Sequence, residues 1–227
     1  MALRDKVWLF DLDDTLHNAS HRAFRELNAS MAAYIVTHLG LAEAQAAELR
    51  NRYWLRYGAT LTGLQRHHGV KPAHFLAETH RLPGLEAHLH GHAHDLAALR
   101  RLPGRKFLMT NAPRGYAERV LATIGLSGAF EGLICVEDMQ LFGHSRPKPD
   151  ARMFRVVLAR LKLRATQCVL VEDTLIHQKT ARGLGMKTVW MQRWLRQAGV
   201  TQGVQRRPAY VSRRVRSLAA LARSPHF

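Results

Sequence analysis

The stretch Val7-Trp8-Leu9-Phe10-Asp11-Leu12-Asp13-Asp14-Thr15-Leu16 runs from four apolar residues directly into a cluster of carboxylates. The apolar run predicts a short buried strand. Side chains two residues apart on a strand share a face, so we expect Asp11 and Asp13 to project together. Neighbouring carboxylates raise each other's pKa unless a cation lies between them, and oxygen ligands favour Mg2+. The stretch therefore predicts a magnesium site at a strand end, against the alternative of a solvated acidic turn.

Further apolar runs of strand length recur along the chain, at residues 107–109, 133–136, 168–171 and 188–191. Amphipathic helical stretches separate the later runs, at 115–124, 151–161 and 178–184. This alternation is typical of an α/β fold with a parallel sheet and helices on both faces.

Polar residues follow several of these predicted strands. In such sheets, ligands bind at the carboxyl ends of the strands. We therefore expect one crevice to collect the residues that follow the strands, which are Asp11, Asp13, Thr110, Asn111, Glu137, Asp138, Glu172 and Asp173.

A long segment without strand character separates the first two predicted strands. Ser20 is a candidate N-cap for a helix through residues 24–35, and a second helix is expected over 41–57. The segment is far longer than an ordinary crossover connection. We interpret residues 19–95 as an inserted helical cap over a core formed by residues 1–18 and 96–227.

The composition is that of an ordinary globular protein. The 227 residues are 47% hydrophobic and 22% charged, enough for one domain with a sizeable insertion. No apolar run reaches the length of a transmembrane helix or a signal-peptide core, so no membrane association is expected. Cys135 and Cys168 lie in apolar runs and are interpreted as buried, reduced thiols, which predicts a cytoplasmic protein.

The formal charge of +17 is unevenly distributed, because no acidic residue follows Asp173 while eleven basic residues do. A basic end of this kind can bind nucleic acid or another polyanion. The segment lacks aromatic interleaving or a zinc pattern, so we favour solvated arginines on terminal elements. We expect residues 209–211 to form a last strand of the core and residues 212–223 to follow as a helix. The run from His88 to His94 is likewise interpreted as incidental surface histidines, since its spacing fits no structural zinc site.

With these residues identified, the chain resembles the haloacid dehalogenase-like (HAD) phosphohydrolases along almost its whole length, which implies a Rossmann-like core. Their four motifs match, in order, Asp11-Leu12-Asp13-Asp14-Thr15, the strand-terminal Thr110, the isolated Lys148, and Glu172-Asp173. Glu137-Asp138 imitates the fourth motif, but we prefer Glu172-Asp173 because residues 174–186 match the family's continuation. His177 departs from the family, since many members place a carboxylate at that position.

The resemblance implies a role for each motif residue. Asp11 is the expected nucleophile that forms an aspartyl-phosphate, and Asp13 the expected general acid and base. Mg2+ would be held by the Asp11 carboxylate, the Asp13 backbone carbonyl and Asp173, with Glu172 behind them. Thr110, the backbone around Asn111, and Lys148 would bind the phosphoryl group. Thr110 and Asn111 could also cap the following helix.

The insertion between the first and second motifs resembles an α-helical C1-type cap. Residues 7–20, 109–121 and 171–191 are similar to the pyrimidine 5'-nucleotidase-like branch, as are residues 57–64 in the cap. Tyr57, Thr60 and Leu61 are therefore candidate contacts for a nucleobase or sugar, although a glycine-containing helix junction explains the same stretch.

The resemblance implies a Mg2+-dependent phosphatase of small phosphorylated metabolites, expected to be pyrimidine nucleoside 5'-monophosphates such as UMP or CMP. Dehalogenases of the family lack the acid at the position of Asp13, which argues against that chemistry. The alternatives are a sugar-phosphate phosphatase, a phosphomutase, or a protein that binds nucleic acid through the basic C-terminal segment. The sequence does not determine the oligomeric state.

Overall fold

The structure is a computed structural model, and it describes residues 6–20, 22–194 and 206–223. Its centre is a six-stranded sheet in which every neighbouring pair is parallel, in the order β3-β2-β1-β6-β7-β8. The strands are β1 (Val7–Phe10), β2 (Arg105–Met109), β3 (Gly132–Ile134), β6 (Cys168–Glu172), β7 (Lys187–Met191) and β8 (Arg213–Val215). The chain thus has the α/β, Rossmann-like fold expected from the sequence.

Alternation along β1 divides the core between the two faces of the sheet. Trp8 and Phe10 face a cluster that includes helix α6 (Arg114–Thr123), whereas Val7 and Leu9 face helices α7 (Ala151–Arg160) and α8 (Leu175–Gly183). All four side chains are at most 2% exposed. A strand covered on both faces needs no polar face, which explains why its sequence is a continuous apolar run.

The segment between β1 and β2 is helical, and the helices there are α1 (Ala23–Leu39), α2 (Glu43–Tyr57), α3 (Thr60–His68), α4 (Pro72–Thr79) and α5 (Ala93–Arg101), with a 3-10 turn at Leu85–His88. The first four helices enclose an apolar cluster built around Tyr34, Ile35, Leu64 and Phe75. Residues 34–76 therefore supply most of a second core, which Val136 from beyond β3 also joins.

The later part of the segment packs elsewhere. Leu82, Leu85 and Leu89 belong to the same cluster as the sheet residues Trp8 and Phe10. Arg119 on α6 donates to Glu86 over 2.7 Å and to the carbonyl of Arg81 over 2.6 Å. Residues 82–89 therefore pack into the core of the sheet and not into the cluster of the first four helices, although the sequence analysis placed the end of the cap at residue 95.

Two local expectations were wrong. Ser20 does not cap α1, which begins after Arg22; instead the Ser20 backbone N–H donates to Asp14 Oδ1 over 2.8 Å and its hydroxyl donates to the other oxygen. Residues 209–211 do not form the last strand, which is β8. Thr188 on β7 donates from its hydroxyl to the Tyr210 carbonyl and accepts from the Ser212 backbone N–H, so residues 210–212 contact β7 through this side chain and strand pairing begins at Arg213.

The remaining core elements flank the site. Two short antiparallel strands, β4 (Gln140–Leu141) and β5 (His144–Ser145), form a hairpin, a 3-10 turn at Ala165–Gln167 precedes β6, and helix α9 (Ala219–Arg223) ends the described chain. Cys135 and Cys168 are free and fully buried, and burial raises the pKa of their thiols to about 12 and about 11.

Several basic residues of the C-terminal region have structural partners. Arg193 pairs with the buried Asp95 at 2.9 Å, and Arg207 donates to the carbonyls of Val211 and Ser212. Arg213 donates to the carbonyl of Ala220. Within the described ranges, no helix has the length and apolar character needed to cross a bilayer.

Candidate active site

The ends of three adjacent parallel strands bring the motif residues to one edge of the sheet. Asp11 follows β1, Thr110 follows β2, and Glu172 ends β6, with Asp173 next in sequence. Phe10 is paired in register with Leu108 and Val171, which fixes the strand ends at matching heights. The Asp11 backbone N–H extends this pairing by donating to the Val171 carbonyl over 3.0 Å.

Lys148 joins two of these strand ends. Its Nζ lies 2.7 Å from Asp11 Oδ1 and 2.7 Å from Glu172 Oε2, and the residue is 0% exposed. Burial lowers the pKa of Lys148, but the two carboxylates more than offset this effect and raise it above its ordinary value. The side chain is therefore a permanent buried cation.

Asn111 holds the loop that carries Lys148. Its side-chain Nδ2 donates to the Lys148 carbonyl, and its Oδ1 accepts from the Lys148 backbone N–H, both over 2.9 Å. Because the amide group is used in this way, only the backbone of Asn111 remains for a phosphoryl group. Thr110 is buried, and its hydroxyl accepts from the Ala112 N–H over 3.0 Å. Helix α6 begins at Arg114, and neither Thr110 nor Asn111 caps it through its side chain.

The acidic groups at this edge outnumber the cation between them. Asp11, Glu172 and Asp173 offer carboxylate oxygens that all lie within 4.8 Å of one another. Burial, followed by the charge of Glu172, raises the pKa of Asp11 to about 8. Burial and the same charge also raise the pKa of Asp173 well above its ordinary value. One lysine does not compensate three carboxylates, so the donor set fits a divalent cation with oxygen ligands.

Glu172 lies on the lysine side of this cluster. Burial raises its pKa, but Lys148 and then His177 oppose burial and hold the pKa well below its usual range. His177 Nδ1 lies 3.1 Å from Glu172 Oε2, the oxygen that also contacts Lys148. His177 thus stands beside the acid rather than replacing one as a ligand.

Asp13 has two partners that the sequence analysis did not identify. Its Oδ1 lies 2.9 Å from Nε2 of the buried His17 and accepts a hydrogen bond from the Tyr116 hydroxyl over 2.8 Å. The Asp13 side chain is 18% exposed. Its neighbour Asp14 is buried, with φ 54°, and accepts from the Ser20 backbone N–H, so its role is to hold the loop after β1.

The acidic pair Glu137-Asp138, which imitates the fourth motif, has a different role from Glu172-Asp173. Glu137 accepts from the Arg114 backbone N–H over 2.9 Å, and so caps the start of α6. Asp138 forms an ion pair with the Arg114 side chain at 2.6 Å and accepts from the Cys135 N–H. Both acids are satisfied by structural donors, which explains a second acidic pair after a strand without a second site.

The three cap candidates differ in their surroundings. Thr60 donates from its hydroxyl to the Arg50 carbonyl over 3.2 Å, and Leu61 packs in the cap cluster; both are buried. Tyr57 is half-buried, and its hydroxyl lies 2.6 Å from His67 Nε2. A Cβ on the next residue, Gly58, would stand 2.9 Å from Pro149 Cδ, so this part of the cap touches the loop that carries Lys148.

The histidine run 88–94 shows no sign of a metal site. Groups of three or more candidate ligands, sought across residues 6–20, 22–194 and 206–223, include none of these histidines. The run instead meets the linker that leaves β1, because the Asn18 N–H donates to the His90 carbonyl and His17 forms a backbone bridge with Gly91.

Comparison with known proteins gives relatives of two chemistries. The chain is 29% identical over 149 residues to an (S)-2-haloacid dehalogenase from Pseudomonas fluorescens, which covers 64% of this chain and 61% of the relative. It is 36% identical over 104 residues to a plasmid phosphoglycolate phosphatase from Cupriavidus necator, covering 46% of this chain and 40% of that protein. The chain thus spans less than two thirds of either relative.

A solved structure shows the same fold along nearly the whole chain. The magnesium-bound HAD hydrolase YfnB from Bacillus subtilis superposes with a TM-score of 0.59 at 20% identity, covering 96% of this chain and 97% of that one. The family model for haloacid dehalogenase-like hydrolases matches residues 6–185. Since this match takes in β1, the helical insertion and every strand-end residue described above, the chain belongs to the haloacid dehalogenase-like hydrolases.

Proposed function

We propose that this hydrolase is a Mg2+-dependent phosphomonoesterase that acts through an aspartyl-phosphate on pyrimidine nucleoside 5'-monophosphates. The observation that carries the proposal is the pair Asp11 and Asp13. Asp11 lies among buried carboxylates and a buried lysine, while Asp13 stands on the same strand end, partly exposed and hydrogen-bonded through a single oxygen.

The two acids divide the reaction between them. A carboxylate oxygen of Asp11 attacks phosphorus, and the bond from phosphorus to the ester oxygen breaks as Asp13 gives that oxygen a proton. Water then attacks the phosphoryl group, Asp13 takes the proton from the water, and the bond to Asp11 breaks. The products are an alcohol and inorganic phosphate, with Asp11 and Asp13 restored.

Charge compensation comes from the groups around Asp11. Lys148 offsets the negative charge that a phosphate brings next to the Asp11 carboxylate. Asp11, Asp173 and the backbone carbonyl of Asp13 are the proposed Mg2+ ligands, with Glu172 beside them. Bound there, the ion would neutralise part of the charge on the phosphoryl oxygens.

Dehalogenation is the rival chemistry, since one relative is named for it. A halide leaves as a stable anion and needs no proton, whereas an alkoxide leaving group does. A partly exposed acid two residues after the nucleophile therefore supports phosphate-ester hydrolysis. The relative named as a phosphoglycolate phosphatase makes small phosphorylated carboxylates an alternative class of substrate. Sugar phosphates are a second alternative, and a phosphomutase could use the same pair of acids.

The nucleotide preference rests on the cap. We propose residues 19–95 as that cap, and Tyr57 as the aromatic contact for a base, because its neighbour Gly58 lies against Pro149 in the loop that carries Lys148. Arg56 and Arg66 each place a guanidinium within 5.5 Å of the centre of its ring. Guanidinium groups beside an aromatic ring suit a flat base attached to a phosphate, because the ring and the guanidinium planes can stack on the base and the positive charge attracts the phosphate. Thr60 and Leu61 would support this ring from inside the cap.

The basic C-terminal segment is a weaker candidate for function. Arg193, Arg207 and Arg213 are engaged with structural acceptors, which favours a structural use for much of that charge. Nucleic-acid binding would show a steep dependence on salt concentration. The free, buried cysteines are compatible with the proposed cytoplasmic location.

The test measures phosphate release from UMP, CMP, glucose 6-phosphate and phosphoglycolate, and halide release from 2-chloropropionate, with Mg2+ and with EDTA. We expect metal-dependent phosphate release that is fastest with the pyrimidine nucleotides. Asp173→Asn should abolish it, while the matched variant Asp138→Asn, in the imitation motif, should retain it. Halide release would refute the reaction, a phosphorylated isomer would indicate a mutase, and equal rates on all phosphates would refute the substrate assignment.

A further inference from the structure

The Asp13 carboxylate is held on one side only. Its Oδ1 contacts His17 Nε2 at 2.9 Å and the Tyr116 hydroxyl at 2.8 Å. Its Oδ2 takes part in none of the hydrogen bonds found across the described ranges. The two oxygens of one carboxylate therefore have different surroundings, and a proton that Asp13 transfers is best carried on the oxygen without donors.

The two partners of Asp13 come from different parts of the fold, His17 from the linker after β1 and Tyr116 from helix α6. His17 is fully buried on the linker after β1, where it bridges to Gly91 of the returning linker. Its Nδ1 is buried without a hydrogen-bond partner in the part of the chain that is described. With its proton on Nε2, the ring donates to Asp13 Oδ1, and no unpaired N–H is left buried at Nδ1.

Tyr116 approaches from helix α6 on the other side. Its ring is buried and meets His80 from the cap segment edge to face, with ring centres 5.9 Å apart. A tyrosine hydroxyl carries its proton at neutral pH, so Tyr116 is the donor in the hydrogen bond to Asp13 Oδ1. Tyr116 is thus a fixed donor to Asp13 and cannot itself serve as a base.

Two donors on one oxygen restrict rotation of the carboxylate. The terminal torsion of aspartate is broad and roughly two-fold, so an unrestrained group exchanges its two oxygens. We propose that His17 and Tyr116 are positioning residues that hold Asp13 by Oδ1 and thereby keep Oδ2 as the oxygen that protonates the leaving group. This inference rests on the proposed phosphatase reaction.

The test separates proton donation from every other contribution by varying the leaving group. An alkyl phosphate such as UMP needs a proton on the departing oxygen, whereas p-nitrophenolate leaves readily without one. The quantity compared is kcat/KM, because it reports the steps up to formation of the aspartyl-phosphate and excludes the later hydrolysis. The experiment uses the full chain with saturating Mg2+ and no other metal.

Tyr116→Phe removes one donor and leaves the ring in place. We expect kcat/KM for UMP to fall about 10–100-fold and that for p-nitrophenyl phosphate by about threefold at most. His17→Leu should show the same selective loss. His17→Gln should restore most of it, since the glutamine amide nitrogen can reach the position of Nε2. Tyr34→Phe is the matched control, because Tyr34 is a buried tyrosine bonded to His74 in the cap.

A loss of the same size on both substrates would mean a merely structural role and would overturn the inference. Unchanged rates on both substrates would also overturn it, because Asp13 would then need no such hold. Melting temperatures of all four variants identify any that fail to fold, and the His17→Gln and His17→Leu pair then decides the outcome. Wild-type protein that releases phosphate from neither ester would refute the proposed function itself, and this inference with it.

Discussion

Replacing the proposed nucleophile should make the protein more stable. The pKa of Asp11 is raised from 3.8 to about 8, first by burial and then by Glu172. A group with a raised pKa in the folded state contributes its full stability below the unfolded pKa, and that stability is lost as the pH rises through the folded pKa. Without metal, the protein therefore loses stability as the pH rises from about 4 to about 8, because Asp11 ionises in the unfolded chain before it ionises in the folded one.

Asp11→Asn removes this cost while keeping the shape of the side chain. One pKa unit corresponds to about 1.4 kcal/mol, and the raised pKa already includes the attraction of Lys148, so the shift of about four units sets an upper limit of about 6 kcal/mol on the gain at pH 8. Lys148 remains paired with Glu172 at 2.7 Å in the variant. The gain should shrink towards zero at pH 4, and Mg2+ should reduce it by stabilising the wild type.

The measurement is urea unfolding in EDTA at several pH values, followed by the fluorescence of the tryptophans, of which Trp8 and Trp190 are buried. Asp150→Asn is the matched control with the opposite sign. Arg146 and the backbone N–H of Arg152 lower the pKa of Asp150 against the opposing effect of burial. Asparagine keeps the N-cap of α7, so Asp150→Asn should lose at most about 1 kcal/mol, through its ion pair with Arg146. If Asp11→Asn were less stable than wild type at pH 8, the electrostatic reasoning about this site would be refuted.

Three further outcomes follow from local geometry. Gly58→Ala should cost more stability than Gly40→Ala, for which we expect a loss of about 1–2 kcal/mol. Both glycines have positive φ, but only at Gly58 would the new Cβ meet Pro149. Urea unfolding of the two variants measures the difference. Asn111→Ala should destabilise by about 1–3 kcal/mol, because the buried Lys148 backbone loses both of its side-chain partners, and it should slow phosphate release more than Asn111→Asp does. Burial lowers the pKa of His80 to about 4 and outweighs the opposing charge of Asp13. Because the unfolded chain then takes up a proton first, the wild type should lose about 2 kcal/mol of stability between pH 7 and pH 5. In thermal melts, His80→Gln should flatten this dependence of stability on pH, and an unchanged dependence would contradict the assignment.

The sheet and the strand-end residues could be predicted because their signals are local. A run such as Val7–Phe10 is fully apolar when both faces are covered, and parallel connections place successive strand ends at one edge. Asp11, Thr110 and Glu172 could therefore be predicted as site residues, because each lies at or directly after the end of a predicted strand. The last strand lacks such a signal. Arg213 and Arg214 occupy two of the three positions in β8, so an edge strand that buries only Val215 has no apolar run to detect.

The partners of Asp13 could not be found in this way. Tyr116 lies 103 residues from Asp13 in sequence, and its position on α6 is that of an ordinary core aromatic. His17 is four residues from Asp13, so its spacing was visible, but a lone histidine after a strand is commonly a surface residue. Only the fold brings a histidine from the linker and a tyrosine from a helix to the same oxygen.

The electrostatic arrangement explains why this edge of the sheet is costly for the fold. Asp11, Glu172 and Asp173 are placed where burial alone raises the pKa of each, and the structure supplies one lysine among them. A fold selected for stability alone would use apolar residues here, since buried ion clusters rarely stabilise. The excess negative charge instead provides a site for a divalent cation, and the cation in turn allows a phosphate dianion to approach a carboxylate nucleophile. Instability of the metal-free protein and affinity for Mg2+ are thus two consequences of one arrangement. Substitutions that neutralise Asp11 or Asp173 should therefore lower both together: the metal-free protein becomes more stable, and its affinity for Mg2+ falls.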